Sequence, residues 1–383
     1  MLALALTMML GPFSTDTYLP AFPAMAADLG VSLSDIALSI SCYIFMIAVS
    51  QLVGGALSDH FGRRNVLIGG LVIYLVASSL VGMSEGLPFL LLGRIIQAFG
   101  AGWVVVSVPA LLRDRVKGQE AAKLFSMMGL ITVVAPGIAP SVGSAVLEFS
   151  SWRWIFYLLS VYATLLIFIS VFVIFREAPP RLGPRIPTTI FKRYLDVLCE
   201  RRALHYVLWQ ATAFSVLMIF ITHASFIYQE HFGQSSRQFS LLFAANIMAM
   251  LFFNLANRAL LAHFKSITVL RMATVAHVLG VALLLAATVF HWNVYSFLPA
   301  MMLTVGSLGA ISPNIQANFL DFFPSSGGSA AAVLGAVQFS FSGLASAIST
   351  QLPENLLTII CTMAVVALIP LATMLLTLRR SHA

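Results

Sequence analysis

The sequence predicts an all-α membrane protein of about twelve transmembrane helices arranged as two six-helix bundles. Three observations lead there. Hydrophobic residues make up 60% of the 383-residue chain and charged residues only 9%, against about a quarter charged in an ordinary soluble domain, and mean hydropathy is +0.95. Apolar runs of roughly 18 to 25 residues recur from end to end, each long enough to cross ~30 Å of hydrocarbon as a helix. Only one connection, Arg176 to Leu204, is long, and it divides the runs into two equal sets.

Read between charged or Pro/Gly breaks, the spans fall near 2–22, 36–57, 65–84, 88–112, 122–147, 153–175, 205–228, 239–260, 268–290, 294–319, 328–350 and 355–378. The first begins almost at Met1 without a basic leader or a small-residue cleavage site, so it reads as a retained helix rather than a signal peptide. The halves are 1–175 and 205–383, joined by a linker at 176–204 that is proline-rich and then basic. Its "TTIFKRYLDVLCERR" part suits an amphipathic helix on an anionic leaflet, where each cation contributes about 1 kcal/mol; a solvated linker fits as well.

Charge placement sets topology. Lys and Arg cluster at Arg63 and Arg64, at Arg113, Arg115, Lys117 and Lys123, through 176–202, at Arg258, Lys265 and Arg271, and at Arg379 and Arg380. Alternate connections hold only Arg153 and Arg237, so the positive-inside rule places both termini in the cytoplasm. The net charge of +7 therefore orients the chain and does not describe a nucleic-acid surface. Cys42, Cys199 and Cys361 give neither a disulfide framework nor a metal spacing. The sequence has no phosphate-binding loop, zinc helix or nucleophile elbow, which argues against an enzyme. No cofactor is expected, and coupling has to come from an ion gradient.

The turn between the second and third spans, "GGALSDHFGRRN", sets Gly55, Asp59, Gly62, Arg63 and Arg64 between apolar runs. Gly55 permits close helix approach, Gly62 can take the positive φ of a tight reversal, and Asp59 can accept backbone N–H bonds or pair with a cation. The fourth span carries Arg94 inside an apolar run. A cation at that depth costs at least ~2.5 kcal/mol and should face partners inside the bundle. Arg94, Gln97, Ala98 and Ala101 share one helix face. In the fifth span "GLITVVAPGIAPSVGSAV" places Gly129, Pro136, Pro140 and Gly143 in a kinked, small-faced helix. In the first, "LGPFSTDTYLPAFPAM" holds Asp16 between Pro12 and Pro20, where loosened backbone bonding admits water and polar partners. Asp16 is the only carboxylate well inside a predicted span, with Asp321 near a span end.

These stretches resemble motifs of the major facilitator superfamily. The turn is similar to its G-x-L-a-D-r-x-G-r-k/r signature, which implies a cytoplasmic latch between two rocking halves. The fourth span resembles the motif whose arginine is implicated in proton handling. The fifth resembles the antiporter motif, with Ala139 and Ser144 standing where glycines are usual. The first-span stretch, together with "SSWRWIFYL" and "ISPNIQANFLDFFP", resembles the Bcr/CflA branch of drug:proton antiporters, and the likeness covers nearly the whole chain.

The resemblance implies a monomeric protein of the bacterial inner membrane, energised by the proton gradient. It would exchange protons for small amphipathic drugs of the chloramphenicol or bicyclomycin kind by alternating access. Asp16 and Arg94 would couple protons. A substrate cavity would draw on Phe13, Tyr43, Gln97, Gln210, His223, Asn246 and Asn314. Two alternatives stay open at this point: a proton-coupled exporter of one metabolite (a sugar, amino acid or siderophore) and an uncoupled facilitator.

Overall fold

The computed structural model describes residues 2–115, 118–176, 195–200, 203–323 and 327–380, with side chains described except at 2, 56, 59, 113–133, 327–329 and 376–380. The chain divides into two compact units, Met1–Pro187 and Thr188–Ala383. In the first unit the helices are α1 (Leu2–Asp16), α2 (Phe22–Leu29), α3 (Leu33–Phe61), α4 (Arg63–Gly82), α5 (Leu87–Arg115), α6 (Gly118–Phe149) and α7 (Arg153–Ile169). A 3₁₀ turn, Leu19–Ala21, precedes α2, and α7 runs on into a π turn at Ser170–Ile174. In the second unit they are α8 (Leu204–Ser225), continued by a π turn at Phe226–His231, then α9 (Ser236–Leu261), α10 (Ser266–Val289), α11 (Val294–Gly306), α12 (Leu308–Leu320), α13 (Gly327–Ser349) and α14 (Leu356–Arg380).

Among the described residues, ten helices are long and apolar enough to cross a membrane. Two expected spans depart from single straight helices. The span expected at 2–22 breaks after Asp16, because Pro12 and Pro20 each remove a backbone N–H from its ladder. The span expected at 294–319 is split at Ser307 into α11 and α12. By contrast α6 stays helical through both Pro136 and Pro140. Large apolar side chains such as Val161, Leu241 and Phe252 are 65–66% exposed. In water such a surface would be a liability, whereas lipid tails are its natural solvent.

The second helix of each half starts from the same device. Gly30 has φ +65 and Gly233 has φ +63, the left-handed region glycine enters without penalty. Two residues on, Ser32 and Ser235 each cap a helix. The Ser32 hydroxyl accepts from the Asp35 N–H while the Asp35 carboxylate accepts from the Ser32 N–H; Ser235 and Gln238 repeat the exchange. Such capping boxes satisfy two otherwise orphaned donors. "GVSLSD" and "GQSSRQ" are thus one motif written twice.

Candidate functional site

In the first unit the polar residues gather around the break in the first span. Pro12 sits inside α1, and the Thr15 hydroxyl donates to its carbonyl at 3.1 Å. The helix ends at Asp16, and the chain turns through Thr17 and Tyr18 into the 3₁₀ turn. Gly143 of α6 lies directly on this break: a Cβ there would collide with the Thr17 carbonyl oxygen. The glycine of the fifth-span motif therefore has a specific packing duty, seating α6 against the segment that carries the carboxylate. Asp16 is 2% exposed, its Oδ1 makes no hydrogen bond, and neither does the buried Thr17 hydroxyl.

Arg94 of α5 is fully buried, yet its partners are all neutral. One terminal nitrogen donates to the Gln97 side-chain oxygen, and the other makes a long 3.3 Å bond to the Tyr18 hydroxyl. Its guanidinium carbon lies 4.1 Å from the Tyr43 ring centroid and 4.5 Å from that of Tyr18. Each such contact is worth about 0.5–2 kcal/mol, more when desolvated. The cage is itself held: Gln97 Nε2 donates to Ser78 at 2.7 Å, and the Tyr18 hydroxyl meets Ser39 at 2.8 Å. Arg94 Nε and the Tyr43 hydroxyl stay unbonded. Arg94 makes no ion pair with Asp16; the cation and the carboxylate are each held separately.

Other expected residues fall into place individually. Phe13 stacks on Tyr162 of α7, centroids 5.8 Å apart. Gln97, expected at a cavity wall, is fully buried and spends both ends of its amide orienting Arg94 and Ser78. In the turn Gly62 has φ +86, separating α3 from α4, and Arg63 Nη1 donates to Ser58 at 2.9 Å. Arg64 is exposed. The close approach expected of Gly55 is not there, since a Cβ would meet Val106 at an ordinary 3.8 Å. It belongs to Gly54, whose Cβ would press to 2.8 Å against Trp103. The side chain of Asp59 lies outside the described residues, as does the side-chain detail of the stretch holding Gly129.

Among the described residues, the buried polar side chains of the second unit include no Asp, Glu, Lys or Arg. Gln210 of α8 donates to Ser312 at 3.1 Å and to Gln338 at 2.8 Å, leaving its own oxygen unbonded. His223 Nε2 meets the Ser349 hydroxyl at 2.9 Å. Asn246 donates to the Tyr228 hydroxyl at 3.0 Å and the Leu242 carbonyl at 2.9 Å. Asn314 accepts from Ser266 at 2.7 Å and donates to Asn257 at 2.5 Å and to the Ala310 carbonyl. Asn246 and Asn314, expected on a cavity wall, are 0% and 1% exposed; Asn314 ties helices together, while Asn246 keeps its side-chain oxygen unbonded. Sequence reasoning missed Tyr18, Ser78 and Gln338. Tyr18 stood in plain sight within "TDTYLP", two residues past Asp16, while Ser78 and Gln338 look like ordinary polar residues of apolar spans.

The family model described as Major Facilitator Superfamily matches residues 4–350. The chain belongs to the major facilitator superfamily. Its members are transporters and not enzymes, and this chain is a multi-pass membrane protein of that all-α fold. It is similar to a bicyclomycin resistance protein homolog of Haemophilus influenzae, 29% identical over 343 residues, covering 88% of this chain and 85% of the relative. It is also similar to the multidrug resistance protein MdtL of Klebsiella pneumoniae, 30% identical over 243 residues, or 63% of this chain and 61% of the relative. Among solved structures, a D-xylose-proton symporter aligns with a TM-score of 0.79 over 96% of both chains at 16% identity, a likeness of fold alone.

Proposed function

We propose that this protein is a proton-coupled antiporter of the Bcr/CflA branch, exporting small amphipathic compounds from the bacterial cytoplasm across the inner membrane. Both termini face the cytoplasm in this reading. The observation that carries it is Asp16: a buried carboxylate at a helix break, with a free oxygen and no paired cation. A carboxylate so placed is costly unless it takes up a proton or a partner, which suits a site alternately occupied by proton and substrate. The names of the Haemophilus and Klebsiella relatives support drugs as cargo.

In the cycle, Asp16 is deprotonated when facing the cytoplasm, and substrate enters. Protonation from the periplasm then favours substrate release, and the protonated carrier returns. If one positive charge moves inward per cycle, the membrane potential contributes about 2.3 kcal/mol per 100 mV. Arg94 is a permanent cation, so it does not ferry the proton. Its role is to hold Tyr18, two residues beyond Asp16, in a fixed place. One buried acid suits neutral, zwitterionic or monocationic cargo of the chloramphenicol or bicyclomycin kind.

The decisive experiment is proton release from purified, detergent-solubilised protein on addition of a panel of such drugs, comparing wild type with Asp16→Asn. Release in the wild type that vanishes in the variant is the expected result. Equal release from both would remove Asp16 from coupling and overturn the mechanism.

A further inference from the structure

Three membrane-spanning segments of the second unit meet at a cavity of about 520 Å³ that the transport cycle does not use. The end of α8, the end of α10 and the start of α14 surround it, with Phe226, His231, Thr288, His291, Trp292 and Asn355 among its walls. Because α9 and α10 run antiparallel, this is the end of the unit opposite the turn between Leu261 and Ser266.

Two unusual pieces of backbone terminate here, and each delivers a histidine. His231 closes the π turn Phe226–His231, a bulge that recurs at functional sites. His291 follows α10 with φ 51, the single non-glycine residue of positive φ among the described residues. It sits where α10 is terminated, flanked by bonds from Phe290 N–H to the Ala286 carbonyl and from Trp292 N–H to the Ala287 carbonyl. Helix ends of this kind ordinarily place glycine at such a position, and histidine adopts it only at an energetic cost. Both side chains line this one cavity.

The chemistry of the walls narrows the occupant. Among the described residues, no lysine, arginine, aspartate or glutamate lines the cavity, so these walls offer no permanent charge to an anion or an organic cation. Neutral imidazoles are the commonest protein ligands for zinc, copper and nickel. We propose that His231 and His291 together bind a divalent transition-metal ion, Cu²⁺ most tightly and Ni²⁺ or Zn²⁺ less so, with water completing the coordination.

The test is a titration of Cu²⁺ alone into the full-length protein, purified in detergent without a histidine tag near neutral pH, read by tryptophan fluorescence and by electron paramagnetic resonance. One equivalent should quench Trp292 and give a spectrum with two coupled imidazole nitrogens. His291→Gly is the informative variant, because glycine suits φ 51 and its melting temperature should equal or exceed that of the parent. It should nonetheless weaken Cu²⁺ binding at least tenfold, as should His231→Ala. Unchanged affinity in His291→Gly would overturn the proposal. So would loss of binding in His60→Ala or His263→Ala instead, since both those histidines are exposed elsewhere.

Discussion

The two halves share a fold and part company in what they bury. The first encloses formal charge: Asp16 with a free oxygen and Arg94 in a cage of neutral partners. The second encloses amides, hydroxyls and imidazoles, some joined in a chain through Asn257, Asn314, Ser266 and Asn318, while Gln210, His223 and Asn246 each keep one atom unbonded. A closed neutral network fixes helices in place. An unsatisfied charge does the reverse, since it gains energy whenever a proton or a ligand reaches it. Under the proposed function, energy coupling falls to the first half, and this network of the second serves rigidity.

Substitutions can break or sharpen that contrast. The largest effect is expected at Asp16: Asp16→Asn should lower drug-driven proton exchange in proteoliposomes by tenfold or more while leaving the melting temperature near that of the parent. Gly143→Val attacks the same site through its support. Its side chain would displace the Thr17 carbonyl, and overpacking of this kind costs about 1–3 kcal/mol. Thermal unfolding in detergent should report the loss, with transport falling alongside.

Asn314→Leu tests the other half. It removes the donor to Asn257 and the acceptor of the Ser266 hydroxyl, which still accepts from Asn318, at about 1–3 kcal/mol, and should lower stability without moving the drug concentration for half-maximal transport. A change in that concentration would return Asn314 to a cargo-binding role.

The smallest effect belongs to a surface pair whose carboxylate, Asp28, lies outside the expected spans. Asp28 accepts from Arg153 at 2.5 Å and from Trp152 Nε1 at 3.0 Å, and these hydrogen bonds, Arg153's first, hold its carboxyl below the usual carboxylate range. Its stabilising contribution is present above the unfolded-state value of about 4 and is lost as pH falls through the lower folded value. Both groups are partly exposed, so the pair contributes less than about 1 kcal/mol. Melting curves of wild type and Asp28→Asn should differ slightly at neutral pH and converge in acid.

Much of this was readable from the chain. Twelve apolar runs, one long linker and the Asp16, Arg94 and Gly62 positions follow from hydropathy, membrane energetics and turn chemistry. What was not readable depends on neighbours distant in sequence. Gly54 and Gly55 are adjacent and chemically identical, and only the position of Trp103 on α5 decides which of them must lack a side chain. Asn314 reads as a polar residue facing a cavity until Asn257 and Ser266 are seen to enclose it. Gln97 reads the same way until its amide is found clamped at both ends.

The duplicated Gly-x-Ser turn works as a ruler. From Ser32 to Arg63 and from Ser235 to Ser266 the chain advances by the same number of residues, so the second helix of each half can be laid on the other without a gap. On that scale Tyr43, which faces Arg94, coincides with Asn246, which is bonded to Tyr228. Gly62, with its positive φ, coincides with Lys265, whose φ is −65. The same layout appears twice, once with a positive-φ turn and an aromatic wall for a cation, once with an ordinary turn and a strut. Subtracting one copy from the other leaves Gly62 and Tyr43, the positions at which the two stretches do different structural work.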